Sequence, residues 1–244
     1  VKIFNVPSAG PRFWTAISIA SVFGANLGDF VSHHLHMGHF RGLPFEALVF
    51  AAILLGKRLS KPPGEIWYWL GIVTLRTAAT NLADLATHDL RLAYAPVCGG
   101  LAVLLLLALL VGDGEVGSFG VQGGAVPPTS ARYWLAMLLA GTLGTAAGDG
   151  VADALGLGVT NASLLLAAGF AGLFALRSRP GFATGGLYWL TILAVRTTGT
   201  TVGDLCAHHL GLVWSTACTG LLFFTVLAVW PAPRAAGGLS LAEV

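Results

Sequence analysis

The sequence predicts an all-α integral membrane protein with eight transmembrane helices. They are arranged as four parallel two-helix repeats, with an inner ring of four signature helices and pseudo-twofold or fourfold symmetry. Three observations predict this class. Of 244 residues, 55% are hydrophobic and only 10% charged, with a mean hydropathy of +0.78, whereas soluble proteins carry about 25% charged residues. Apolar runs close to the roughly 20 residues needed to cross a bilayer recur along the chain, which favours a multi-pass protein over a signal peptide ahead of a soluble domain. Within four of these runs a tryptophan is followed fifteen residues later by an aspartate: Trp14/Asp29, Trp69/Asp84, Trp134/Asp149 and Trp189/Asp204.

The spans fall at 13–35, 42–58, 66–89, 93–112, 132–155, 159–177, 186–208 and 212–231. The odd-numbered spans carry the tryptophan and aspartate, and the even-numbered ones are plain and apolar. Lys61-Pro62-Pro63-Gly64 ends the second span, Pro127-Pro128 precedes the fifth, and Arg179-Pro180-Gly181 separates the sixth from the seventh, each a combination that stops helices. The longest interruption, 113–131 with its Gly-rich stretch 117–124, divides the chain. The first half, 1–112, contains repeats 12–58 and 66–112; the second, 132–231, contains repeats 132–177 and 186–231; 232–244 is a C-terminal tail.

The spacing shows how the halves are related. Asp29 to Asp149 and Asp84 to Asp204 are both 120 residues, and the aspartates within each half are 55 apart, the mark of a two-helix unit doubled twice. An even number of spans per unit gives all four the same orientation, unlike inverted transporter repeats. Lys2, Arg12, Lys57, Arg58, Lys61, Arg132, Arg177, Arg179 and Arg234 lie on the side of the termini, and mainly Arg41 and Arg91 on the other. The excess of basic residues therefore places both termini in the cytoplasm. Each tryptophan then starts its helix at the cytoplasmic interface, and each aspartate lies roughly 22 Å deeper at 1.5 Å per residue.

Counted from the aspartate, positions −7, −3, 0 and +4 are expected to share one helix face. They read Val22, Asn26, Asp29, His33 in the first unit and Thr77, Asn81, Asp84, His88 in the second. The third gives Thr142, Ala146, Asp149, Asp153 and the fourth Thr197, Thr201, Asp204, His208. Positions −5 and −1 are small throughout: Gly24/Gly28, Ala79/Ala83, Gly144/Gly148 and Gly199/Gly203. Small residues let membrane helices approach closely, which puts the odd helices in an inner ring with their polar face on the axis. Position −8 breaks the pattern, with Arg76 and Arg196 in the second and fourth units and Ser21 and Gly141 in the others. These arginines are expected about 12 Å below the acids, compensating their charge or gating passage.

Four tandem two-span units, each with a tryptophan and a buried acid, resemble the bacterial membrane proteins built from the DUF347 repeat, over residues 12 to 231. The four Trp/Asp pairs carry the resemblance. Of the basic residue common in that repeat only Arg76 and Arg196 are kept, and Asn26, Asn81, Ala146 and Thr201 stand where an acid often occurs. The resemblance implies a multi-pass protein of the bacterial inner (plasma) membrane and transfers no activity.

Function is read from the polar residues. Carboxylates cost about 2.5–3.5 kcal/mol each at a membrane centre and mark functional sites by default. Four acids against two arginines leave charge over, which a purely structural set of ion pairs does not explain. Asp-x3-His occurs three times, a spacing that lets one helix grip an ion with two side chains. Carboxylate with imidazole suits Zn, Mn, Fe, Ni or Co. The expected metal ligands are Asp29, His33, Asp84, His88, Asp149, Asp153, Asp204 and His208, supported by Asn26, Asn81, Thr77, Thr142, Thr197 and Thr201. His34, His36, His39, His209 and Glu46 are expected at the outer mouth. The leading reading is a transporter or binding protein for a divalent transition metal, with proton coupling as an option because protonated ligands release metal. An intramembrane metalloenzyme with an open coordination position and a haem- or proton-handling sensor are the alternatives. Haem is disfavoured by the narrow acidic cavity expected, and no catalytic residue is assigned. A continuous polar path below Asp84 and Asp204 would favour transport; a closed floor would favour an enzyme or receptor. The expected partners are the lipid bilayer, the metal and protons. A net charge of +2 gives no case for nucleic acid, and Cys98, Cys206 and Cys218 have no zinc-ribbon spacing.

Overall fold

The computed structural model describes residues 9–61, 64–110, 129–177, 179 and 184–230. The expected loop over 113–128, the tail, Lys2, Arg234 and the Pro62-Pro63, Pro127-Pro128 and Pro180-Gly181 breaks lie outside the described residues. Eight α-helices are described, with no strand among the described residues. They are α1 (Pro11–Asp29), α2 (Gly38–Leu59), α3 (Ile66–Asp84), α4 (Tyr94–Leu110), α5 (Ala131–Asp149), α6 (Gly158–Arg177), α7 (Gly185–Leu210) and α8 (Leu212–Val229). The starts follow local chemistry. Pro11 occupies the first turn of α1, where its missing N–H costs nothing; the hydroxyls of Ser130 and Thr184 cap α5 and α7 by accepting from the Tyr133 and Leu187 N–H groups at 3.3 and 3.2 Å.

Three signature helices do not end at the aspartate but pass into a π-helical turn: Phe30–His34 after α1, Leu85–Asp89 after α3 and Gly150–Ala154 after α5. Helix α7 stays α-helical and joins α8 through Gly211 alone, whose φ of 79° is strained for residues with a Cβ.

The signature helices form a closed ring in which α1 packs on α3, α3 on α5, α5 on α7 and α7 on α1. The outer helices are offset by one place. Helix α2 packs on α3, α4 on α5 and α6 on α7, and α8 returns to α1 while also touching α7. Each plain helix thus leans on the signature helix of the next repeat.

The small residues at −5 and −1 close the ring. A Cβ on Gly24 would come within 2.7 Å of Arg76 Cβ, one on Gly144 within 2.5 Å of Arg196 Cβ, and one on Gly203 within 2.8 Å of Asn26 Oδ1. Each glycine is a place where the next helix presses its own −8 or −3 residue against backbone. Among the described residues, three helices are long and apolar enough to cross a membrane: α5 with its π-turn, α6 and α8. Helix α4 is apolar but shorter. Leu48, Leu104, Leu107, Leu164, Leu221 and Phe224 are among the large apolar side chains left exposed on the outer helices.

Candidate functional site

The axis of the ring is open at the aspartate end and filled at the tryptophan end. At the open end a cavity of about 340 Å³ is lined by Asp29, Asp84, Asp149 and Asp204, one from each repeat, together with His33, His88 and Asp153. Next to the acids stand Ala25, Thr80, Thr145 and Thr200, all at position −4. The cavity face therefore runs through −8, −4 and 0. Four residues of α-helix overshoot a full turn by about 40°, so small errors of phase decide which neighbours share a face. Asn26 and Asn81, at −3, are turned to the outer helices: Asn26 donates to Ser215 Oγ at 2.6 Å and Asn81 to Glu46 Oε1 at 2.5 Å. Thr77, Thr142 and Thr197, at −7, bond carbonyls one turn back in their own helices, and Thr201 bonds Thr198 O. The supporting polar face expected from sequence thus serves helix packing, and the threonines at −4 serve the axis.

The π-turns decide which +4 residues reach the cavity. Their closing bonds, Leu35 N–H to Phe30 O, Leu90 N–H to Leu85 O and Leu155 N–H to Gly150 O, span five residues at 2.9, 2.9 and 3.1 Å. A π-turn takes more residues per turn than an α-turn. The residue four beyond the aspartate consequently remains over the axis, as His33, His88 and Asp153 do. Helix α7 lacks the π-turn, and His208 does not line the cavity, which α7 reaches with Ala207 instead of a +4 side chain.

Among the mouth residues, His39 is buried and the others diverge. His39 Nδ1 lies 3.0 Å from Asp89 Oδ2, and Nε2 lies 3.9 Å from Asp84 Oδ2. His88 Nδ1 sits 3.6 Å from Asp84 Oδ1, and the His33 and His39 rings meet edge to face at 5.1 Å. Tyr94, at the start of α4, donates to Asp153 Oδ2 at 3.2 Å and stands 3.4 Å from His88 Nε2. Sequence reasoning missed Asp89 and Tyr94; Tyr94 was findable, because it lies ten residues after Asp84 as His39 lies ten after Asp29. His34, His36 and His209 are exposed, and none of them lines the cavity. Glu46 is not at the mouth; it is 3% exposed and packed between α2 and α3.

Below the acids the axis closes. Arg76 is 1% exposed and turns up into the threonine layer, donating to Thr80 and Thr145 Oγ1 at 2.8 and 2.7 Å, to Thr200 Oγ1 at 2.6 Å and to Ser21 Oγ at 3.3 Å. Arg196, equally buried, donates to Met137 Sδ at 3.9 Å, while its Nε and Nη1 have no hydrogen-bond partner among the described residues. A plug follows, made by Phe13, Tyr68, Tyr133 and Tyr188, each fully buried and each one residue before a signature tryptophan. The Tyr133 hydroxyl is 2.6 Å from that of Tyr68 and 3.3 Å from that of Tyr188. The fourfold aromatic-Trp pair was legible as a repeat and was passed over for the Trp alone.

The chemistry available is that of an acidic chamber with a cationic floor. Among the described residues no three His, Cys, Asp or Glu side chains are grouped so as to hold one metal ion directly. Cys206 does not line the chamber. No curated protein and no solved structure matches the chain. The Repeat of Unknown Function (DUF347) matches residues 132–181 and 187–235, the third and fourth signature helices with the plain helices that follow them. The second half of the chain thus carries two copies of the DUF347 repeat.

Proposed function

We propose that this is an eight-span membrane protein of the bacterial inner membrane, with cytoplasmic termini, that binds a divalent transition-metal cation in the axial chamber and exchanges it with the outer side. The observation that carries the reading is the convergence of four aspartates, one per repeat, on one chamber floored by Arg76. The membrane part is supported by a polar axis inside an apolar exterior, the reverse of a soluble bundle. The signature helices with their π-turns run 24 residues or more, roughly 36 Å at helical rise, enough for a 30 Å core even where axial polar groups lower hydropathy.

The size of the chamber sets the mode of binding. A water takes about 30 Å³ of liquid, so 340 Å³ has room for a cation with waters around it. The cation enters hydrated, is held by carboxylate charge, and trades some waters for His33 and His88; protonation of those ligands releases it. The closed floor favours a second reading, a metal receptor or metalloenzyme that never passes its ion through the bundle.

Purified protein is expected to retain metal, and Asp84→Asn with Asp204→Asn to lose it, while Cys206→Ser keeps it. Equal metal content in all three ends the metal reading. Proteoliposome flux then separates the two readings. Flux in the wild type that rises in the Arg76→Gln/Arg196→Gln variant supports transport; a metal-loaded wild type without flux supports the receptor or enzyme.

A further inference from the structure

A second cavity lies away from the axis, on the flank where α2 meets α3 and α5. It holds about 400 Å³ and is walled by Leu43, Phe50, Leu82, Trp134 and Leu138, with Glu46 as its acid. Phe50 and Trp134 meet edge to face at 5.5 Å. Glu46 Oε1 is held by the Asn81 amide, but Oε2 is buried and has no hydrogen-bond partner among the described residues. A carboxyl oxygen left unpaired in an apolar wall is costly. The corresponding positions seventeen residues after the other three aspartates are Leu101, Leu166 and Leu221, so the repeat architecture does not require an acid here.

We propose that this groove binds a membrane-dissolved lipophilic amine, its ammonium on Glu46 and its apolar body along Phe50, Trp134 and the leucines. An ammonium supplies the donor and the charge that Oε2 lacks, and the aromatic pair one helical turn away accepts a hydrocarbon or a cation face. The site is distinct from the axial chamber, and only the route of entry depends on the membrane reading.

The test is tryptophan quenching in detergent solution by a brominated undecylamine, with the brominated undecanol of equal length as the uncharged control. The amine is expected to quench saturably at concentrations about tenfold or more below the alcohol, as expected for a charged hydrogen bond. Most of that quenching should vanish in Trp134→Phe, and the amine preference should vanish in Glu46→Gln. Equal quenching by amine and alcohol in the wild type, or an unchanged preference in Glu46→Gln, overturns the proposal. Loss of the preference in Asp84→Asn/Asp204→Asn overturns it too, by placing the amine on the axis. Should Glu46→Gln fail to fold, Ala47→Phe, which narrows the groove from a side chain exposed on α2, must abolish the saturable quenching, and its persistence sinks the site.

Discussion

Arg76 and Arg196 occupy the same position in two copies of one repeat, yet they have opposite surroundings. Arg76 reaches up, donates to three threonines from three helices and lies under four acids; Arg196 remains below, beside Met137 and the tyrosine hydroxyls, with two donor nitrogens unpaired. There is one hydroxyl ring, and two guanidiniums crowded into it would repel strongly at low dielectric. The repeat sets which face a residue occupies, and competition for partners decides what it does there. That is why a fourfold sequence pattern yields an axis with polarity: acids and imidazoles at the mouth, one satisfied cation in the middle, one strained cation and an aromatic plug at the base.

The largest effect expected is the contrast between removing each arginine. Arg76→Met deletes the charge beneath the acids and frees three threonine hydroxyls, and should cost about 3–5 kcal/mol, as breaking a buried charge network does. Arg196→Met removes a buried charge whose donors are half unpaired and should be neutral or stabilising by about 1–3 kcal/mol. Thermal unfolding of both variants in one detergent checks this. Equal losses would mean that Arg196 has a partner as good as the threonine ring.

A smaller effect separates the two faces of one helix. Among the described residues, Thr145 donates no bond to its own backbone one turn back but accepts from Arg76 at 2.7 Å, whereas Thr142, three residues earlier, bonds Leu138 O alone at 3.0 Å. Thr145→Val should destabilise by about 2 kcal/mol, the range for a hydrogen bond to a charged group. Thr142→Val should stay within about 0.5 kcal/mol, because the methyl replaces a hydroxyl that bonds only its own helix. If the two variants lose stability equally, the axial face has been assigned to the wrong positions.

The same pair shows what could be read in advance. The inner ring, the plain outer helices and the meeting of the four aspartates follow from charge cost and repeat spacing, which need only the sequence. The glycine packing also follows, since a small residue at a fixed place in every unit has little other use. The direction of the polar face was misread because positions −3 and −4 differ by one residue, and Asn26 and Asn81 looked more polar than Ala25 and Thr80. Only the neighbouring helices settle that choice. Glu46 was misplaced because its depth depends on α2 leaning onto α3, a tertiary fact, and Asp89 because it stands outside the repeat.

The smallest effect tests the π-turns. If their role is to hold the +4 residue over the chamber, His33→Ala and His88→Ala should each weaken metal retention about tenfold, in the range for groups that orient or bind a metal, or about 1.4 kcal/mol. His208→Ala, from the one signature helix without a π-turn, should change it less than about twofold. Metal titration of the three variants, each checked for an unchanged unfolding temperature, gives the comparison. An effect of His208→Ala equal to the other two would show that the π-turns do not select which +4 residues reach the ion. Deleting Phe30 to convert the first π-turn to α-helix moves His33 to three residues after Asp29, the place from which Ala207 lines the chamber in α7, and should therefore preserve metal retention where His33→Ala loses it.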